Sequence, residues 1–332
     1  MNVPAVSVPE TQQPVRANSF ARFSNGAIRR ARELWAWWKC DSPHFPSVAQ
    51  LTKSIALLSA LESPPAIAKF DSETPIFLLS TGMRTGSTLL QRILITDSRL
   101  LLWGEPMGEM NIAARITQML SDGLSREFLG YWQRQPNLTS SELTKSWIAH
   151  LHPSSDNFRL ALRSLLHTWL AQPARQHGFT RWGFKEVRLD ATDAVLLHWL
   201  YPHAKFLLIA RHPYDCYRSF ADAGSPDHFV SHPGLLIDSA ASFAGEWNRI
   251  AVSWSQVPEG FPSRLIKYED LIGGTFDFRS LESWLGLKIN ENEALSAVVG
   301  RTAFRARLHP YERWIVSRGA AAGMSALGYS RT

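Results

Sequence analysis

The sequence has few of the features that mark secreted, membrane-spanning or nucleic-acid-binding proteins. Only two of its 332 residues are cysteines, Cys40 and Cys216, and it shows no signal peptide. Both observations predict a cytoplasmic protein without a disulfide framework. No apolar run approaches the ~20 residues that a helix needs to span a bilayer. The net charge of +6 is not concentrated in any Lys/Arg run, so we expect an anionic ligand and no nucleic-acid partner.

The chain is rich in apolar residues, at 45% of the sequence, which is enough to bury one large core. Residues 1–25 are polar and lack apolar periodicity, so we predict a disordered tail followed by a single domain, residues 26–332. Residues 27–39 combine arginines with tryptophans and are expected to form a helix that docks on the body or contacts a membrane surface. The eleven histidines show no metal-ligand spacing, and no metal site is predicted.

One stretch, residues 75–90, has the pattern of a phosphate-binding loop. Residues 76–80 are predicted to be a buried strand, and the amphipathic run from Leu89 predicts a helix. Gly82 and Gly86 lie between them and allow the backbone to curl, so that successive amides point at one anion near the helix N-terminus. The candidate ligands lie in this loop: Arg84, Thr85, Gly86, Ser87 and Thr88.

This loop differs from the one that hydrolyses nucleoside triphosphates. That motif needs a lysine where this chain has Ser87. The fixed cation is instead Arg84, whose guanidinium can donate two hydrogen bonds to a phosphate or sulfate group. The alternative interpretation is a turn that only connects a strand to a helix.

Glu105 is the candidate proton acceptor. It follows a short apolar run, residues 100–103, predicted as the second strand, and functional groups gather past the carboxyl ends of parallel strands. Gly104 and Pro106 flank it, and Pro106 restricts the backbone of Glu105. The rival bases are Glu109 and Glu186, and a further alternative is that Glu105 only caps the helix that follows.

Two more strands carry charge at their carboxyl ends. Residues 182–188 are predicted to form a short strand that contains Lys185. The alternatives to a functional role are that Lys185 is a solvated lysine at the strand end and that Arg188 belongs to a surface ion pair. Residues 205–210 form a buried strand that leads into Arg211, and Pro213 fits the first turn of the next helix. Alternating strands and helices of this kind predict an α/β fold, a P-loop-like parallel sheet flanked by helices.

The remaining elements are mostly helical. A helical insertion at about 106–180 is expected to set acceptor specificity, and the last small residues, 316–323, are predicted to be flexible and to fold over a ligand. The individual elements predicted from periodicity are helices at 47–61, 107–122, 140–151, 156–172, 236–255 and 277–285, a helix capped by Asp190, and a strand at 264–268.

Three of these elements together resemble the sulfotransferases that use 3′-phosphoadenosine 5′-phosphosulfate (PAPS): the loop 83–88, the segment 211–219 and the run 266–271. In that family the loop holds the 5′-phosphosulfate, and an arginine with a serine eight residues later holds the 3′-phosphate. Arg211 and Ser219 have that spacing. The resemblance spans about residues 75–275. It implies PAPS as the donor, the bisphosphate PAP as the product, and Tyr268 among the nucleotide-binding residues.

Within that family the chain is most similar to the tyrosylprotein sulfotransferases and related bacterial enzymes, which share a glutamate after the second strand and a Trp-Asn-Arg motif. Glu105 and the run 247–249 match these features. Met83 and Thr85 stand where the family usually has proline and serine. The helical insertion does not match, so the expected acceptor stays broad: a small molecule, a carbohydrate or a lipid-like compound.

The resemblance implies in-line displacement at sulfur, with Arg84 and Lys185 stabilising the developing charge and Glu105 taking the acceptor proton. Two other functions remain open from the residues. A nucleotide-dependent kinase of the same architecture is disfavoured by Ser87, although Asp270 offers a carboxylate for magnesium. A non-catalytic nucleotide-binding module is the third possibility.

Overall fold

The structure is a computed structural model, and it describes residues 45–61, 72–123, 140–145, 148, 151, 153–222, 229–232, 235–290, 292 and 308–330. The predicted tail, residues 1–25, and the predicted Arg/Trp helix, residues 27–39, lie outside these ranges. None of the helices in the described ranges is long and apolar enough to cross a membrane.

Five parallel strands form the main sheet, in the order β2-β3-β1-β4-β7. A separate antiparallel hairpin pairs β5 with β6. The strands are β1 (Ile76–Ser80), β2 (Leu100–Trp103), β3 (Arg181–Glu186), β4 (Lys205–Ala210), β5 (Phe229–His232), β6 (Leu235–Ile237) and β7 (Ser263–Lys267). The predicted P-loop-like α/β fold is therefore confirmed.

The described helices cover both faces of this sheet. In chain order they are α1 (Val48–Ser59), α2 (Ser87–Leu94), α3 (Ile112–Gly123), α4 (Ser140–Leu143), α5 (Ser155–Leu166), α6 (Gln172–Gln176), α7 (Ala191–Leu200), α8 (Pro213–Asp222), α9 (Ala240–Ser253), α10 (Tyr268–Gly273), α11 (Phe278–Leu285), α12 (Pro310–Gly319) and α13 (Ala321–Ala326). Short 3₁₀ turns lie at Gly108–Met110 and Trp254–Gln256.

The two faces of the sheet are separate because side chains alternate along each strand. On one face, Phe77 packs against Phe184 and Phe206, with ring centroids 4.7 and 5.4 Å apart, and helices α1, α7 and α9 cover them. On the other face, Ile76 and Leu78 pack with residues of α2 and α11. This arrangement fixes β1 at the centre of the sheet, with the carboxyl ends of all five strands at one edge.

The helical insertion differs from its prediction in three places. The helix expected at 107–122 begins only at Ile112, because Asn111, after the 3₁₀ turn Gly108–Met110, has a left-handed backbone with a φ of 41°. The helix expected at 140–151 ends at Leu143, where the Thr144 hydroxyl donates to the Ser141 carbonyl, 3.2 Å, and this bond competes with a further helical turn. The helix expected at 156–172 instead runs from Ser155 to Gln176 through a π-turn, His167–Ala171. The wider turn accommodates Pro173, which cannot donate a backbone hydrogen bond.

The helix predicted at 236–255 begins later, because residues 235–237 pair as β6. Ser239 caps its first turn and exchanges bonds with Ser242 in a capping box. The predicted strand at 264–268 is shifted by one residue, since Tyr268 already opens α10.

The prediction of a flexible segment at 316–323 is wrong. Val316 and Ala320 are fully buried within α12 and at its end, and both α12 and α13 pack on α9. A methyl group at Gly319 would lie 2.8 Å from the Ala244 Cβ, and one at Gly323 would lie 2.7 Å from the Ala251 Cβ. The small residues therefore allow close helix packing and do not provide flexibility.

Candidate active site

The loop between β1 and α2 is held in left-handed backbone conformations at three alternate positions. The φ angles are 128° at Gly82, 63° at Arg84 and 90° at Gly86, values at which only glycine is free of strain. The Gly82 carbonyl accepts hydrogen bonds from the Ser80 and Thr85 hydroxyls, at 2.7 and 3.3 Å. The Thr85 hydroxyl hydrogen is thus used inside the loop, and Thr85 acts first as a support for its shape.

The N-terminus of α2 is left open to a ligand. Its N-cap is Gly86, which has no side chain to accept from the first amides. The backbone N–H groups of Ser87 and Thr88 have no acceptor among the residues that the structure describes. Unpaired amides and the positive end of the helix dipole together favour an anion at this point.

The two predicted phosphate-binding motifs meet in one place. Arg84 Nε donates to the Ser219 hydroxyl, 3.1 Å, and Arg211 Nη1 donates to the Arg84 carbonyl, 3.2 Å. Arg211 also stacks over the Tyr268 ring, 4.4 Å from its centroid. The Tyr268 ring also lies against Gly86, where an added Cβ would be 2.2 Å from the ring. Residues more than a hundred positions apart in sequence therefore form a single cationic site.

Glu105 lies at the same edge of the sheet, after β2. Its two carboxylate oxygens accept from Lys185 Nζ, 2.5 Å, and from Arg188 Nη1, 2.8 Å. These partners meet because β2 and β3 are parallel neighbours, with Trp103 opposite Phe184. Burial acts to raise the pKa of Glu105, but the hydrogen bonds and charges of Lys185 and Arg188 outweigh it, so the pKa lies below its ordinary value. Glu105 is therefore ionised at neutral pH.

The alternative interpretations of these residues do not hold. Lys185 and Arg188 are only 6% and 8% exposed, so Lys185 is not a solvated lysine and Arg188 is not in a surface ion pair. Glu105 does not cap a helix, because the next helical turn has Met107 at its N-cap position and the Glu105 oxygens bond to Lys185 and Arg188.

Glu186 has a different environment from Glu105. It is fully buried, and its Oε1 accepts from the Val187 amide and from Arg188 Nη1, at 2.9 and 3.0 Å. Its Oε2 is buried with no partner among the described residues, and burial raises the pKa of the Glu186 carboxyl. Glu105 keeps a side chain 31% exposed, so of the two it is Glu105 that an acceptor can reach. The side chain of the third candidate, Glu109, lies outside what the structure describes.

Two features were not found by sequence reasoning. Glu246 binds Arg249 through both carboxylate oxygens, and Arg249 also pairs with Asp190. The i, i+3 spacing of Glu246 and Arg249 on a helix is visible in the sequence, but the ion pair between Arg249 and Asp190 is not. The second feature is a small pocket of about 10 Å³ between the loop 81–83 and α9. It is lined by Thr81, Gly82, Met83, Ser231, Ile237, Phe243, Glu246 and Trp247.

The fold and the site together define an α/β protein with a cationic, P-loop-like edge. A sequence model of the sulfotransferase family matches residues 75–291, which is more than half of the chain. The chain therefore belongs to the sulfotransferase family and is a transferase. None of the curated proteins compared with the sequence matches it significantly.

Several solved sulfotransferase structures are similar to this one at low sequence identity. The sulfotransferase domain from the curacin biosynthetic pathway is 16% identical over 78% of this chain and 98% of its own, with a TM-score of 0.42. A sulfotransferase from Alicyclobacillus acidocaldarius is 12% identical over 77% and 95%, with a TM-score of 0.42. The sulfotransferase domain of the Synechococcus PCC 7002 olefin synthase is 19% identical over 78% and 90%, with a TM-score of 0.39. Membership of the family rests on the family model and not on these matches.

Proposed function

We propose that the protein transfers the sulfuryl group of PAPS to a hydroxyl or amine of a small-molecule, carbohydrate or lipid-like acceptor. The observation that carries this proposal is the contact of Arg84 with Ser219 beside Arg211. A donor nucleotide with phosphate-type groups at both its 5′ and 3′ positions needs two neighbouring anion-binding sites on the protein. The open N-terminus of α2 and the Arg211 segment supply them side by side.

The residues fit this donor by their chemistry. The loop amides and Arg84 would hold the 5′-phosphosulfate, Arg211 and Ser219 the 3′-phosphate, and Tyr268 would pack beside the nucleotide. The donor supplies an activated sulfuryl group, which leaves its phosphate without a redox step. What the protein must add is position and charge stabilisation, by analogy with phosphoryl transfer.

Glu105 would accept the proton of the attacking hydroxyl or amine. A carboxylate with a lowered pKa is a weak base, so it takes the proton late, as the new oxygen–sulfur or nitrogen–sulfur bond makes that proton acidic. Lys185, next to Glu105, would then stabilise the negative charge that develops on the leaving side.

Nucleotide selectivity is the direct test of this proposal. PAP should raise the melting temperature by several degrees, because a ligand at 100 times its Kd adds ~2.7 kcal/mol of stability. ATP with magnesium should shift it less, since the chain has Ser87 where a triphosphate loop has its lysine. The measurement is a thermal-shift titration with both ligands. A larger shift with ATP and magnesium would contradict the proposal and favour the kinase.

Turnover should also survive chelation. Among the residues that the structure describes, no group of His, Cys, Asp or Glu side chains could hold a metal ion, and the positive charge at the site comes from Arg84 and Lys185. We expect PAP release from PAPS in the presence of an acceptor to be unchanged in EDTA, measured against a sample with added magnesium. Activity that is lost in EDTA and restored by magnesium would again favour a kinase.

A further inference from the structure

The segment Leu327–Ser330, which we call the clamp, contacts the nucleotide edge of the sheet although none of its residues lies in the predicted motifs. It follows α13, and the Tyr329 amide donates to the Met324 carbonyl, 2.8 Å, which turns the chain back toward the sheet. Gly328 adopts a φ of 68° at this turn, a conformation that favours glycine. The turn directs Tyr329 toward the carboxyl ends of β4 and β7.

Tyr329 is connected through hydrogen bonds to His212, the residue that follows Arg211. Its hydroxyl donates to Glu269 Oε2, 3.0 Å, and Glu269 Oε1 accepts from the His212 backbone amide, 2.8 Å. The His212 ring also contacts the clamp, with Nε2 3.2 Å from the Ser330 carbonyl and its ring edge-on to that of Tyr329. One carboxylate thus bridges Tyr329 and the backbone next to Arg211.

A second connection reaches Tyr268 from the other side. Lys267 Nζ donates to the Gly328 carbonyl, 3.1 Å, and lies 4.8 Å from the Tyr329 ring centroid. Lys267 and Glu269 are the sequence neighbours of Tyr268, so the clamp holds the backbone on both sides of it. Because Tyr268 stacks on Arg211, both connections end at the same guanidinium.

We propose that Tyr329 is a positioning residue for the nucleotide site: through Glu269 and Lys267 it holds Arg211 in place for the 3′-phosphate. The proposal rests on the proposed function, since it needs a 3′-phosphorylated nucleotide at Arg211. Burial and the Glu269 carboxylate raise the pKa of Tyr329, so its hydroxyl remains a donor throughout the pH range of an assay. Tyr329 itself makes no contact that would qualify it as a catalytic residue.

The test is PAP binding to the full chain, measured by calorimetry well below the melting temperature. Tyr329→Phe keeps the ring and removes the hydroxyl, and we expect the Kd for PAP to rise about threefold to tenfold, as for the loss of one hydrogen bond to a charged group acting through a neighbour. Tyr311→Phe, on α12, is the matched control and should leave the Kd unchanged. The Tyr311 hydroxyl bonds to nothing among the described residues.

A double variant separates positioning from general stability. If Tyr329 acts through Arg211, then Tyr329→Phe should change the Kd by less than about twofold in an Arg211→Ala background, because contacting residues are not additive. An equal loss in both backgrounds, or an unchanged Kd with only a lower melting temperature, would overturn the proposal. If the wild-type protein itself fails to bind PAP, it is the proposed function that fails, so the two failures are distinguishable.

Discussion

Glu105→Gln is expected to turn over at least roughly a hundredfold more slowly than the wild type, since a positioned general base contributes ~10²–10⁴ in rate. The amide keeps the shape of the side chain but cannot take a proton. Lys185 and Arg188 remain in place to bind charge, so PAP affinity should be close to normal. The measurements are kcat at saturating PAPS and acceptor, and PAP binding by calorimetry.

Two control variants make this result specific. Glu259 lies in the exposed loop before the amino end of β7, at the edge of the sheet opposite Glu105. Glu259→Gln should therefore have no effect on kcat or on PAP binding. Glu186→Gln tests the buried rival. If Glu105→Gln keeps more than about a tenth of the wild-type kcat while Glu186→Gln or Glu109→Gln is inactive, the base is one of those residues.

The pH dependence of the rate gives an independent test of Glu105. Because Lys185 and Arg188 outweigh burial and lower its pKa, the base form persists to below pH 4.5, the ordinary value for glutamate. In a plot of kcat/KM against pH, the acidic limb should therefore lie below pH 4.5. Arg188→Gln removes one of the two cations, so the pKa should rise and the limb should move to higher pH. A limb that moves downward or stays in place would contradict the assignment.

Arg211→Ala is expected to weaken PAP binding by roughly one to two decades, since a hydrogen bond to a charged group is worth ~1.5–3 kcal/mol. Adenosine 5′-phosphosulfate, which lacks the 3′-phosphate, should lose less affinity, because for this nucleotide Arg211→Ala removes only the support that Arg211 gives to the loop through the Arg84 carbonyl. The ratio of the two Kd values is the measurement. Arg218→Ala is the matched control, because Arg218 lies on α8, the helix that follows Arg211, and pairs with Asp215 at the surface, where an ion pair contributes little.

Ser219→Ala should behave differently from Arg211→Ala. The Ser219 hydroxyl accepts from Arg84 Nε, so its removal loosens a cation of the phosphate loop as well as a 3′-phosphate contact. We expect both nucleotides to lose affinity in this variant. An equal loss of both nucleotides in Arg211→Ala would show that the Arg211 segment does not read the 3′-phosphate.

Much of the fold follows from local pattern. The buried run of β1, the two glycines of the loop and the cap at Asp190 act within a few residues of themselves, and the structure has them where the sequence predicts. The errors occurred where distant contacts decide. Residues 316–323 have a composition that suggests flexibility, but their small side chains fit against Ala244 and Ala251 of α9. Composition alone cannot show which helix will pack there.

The sequence by itself determined the glycine-containing loop between β1 and α2, the Arg211–Ser219 spacing and the position of Glu105 as a strand-end carboxylate, because each depends on neighbours along the chain. Only the tertiary structure decided how these groups meet. The order β2-β3-β1-β4-β7 brings Lys185 and Arg188 to Glu105, and it brings Arg211 to Arg84. The same packing buries Glu186 while leaving Glu105 accessible. Side-chain pairing across neighbouring strands depends on strand order and register, which no local pattern encodes.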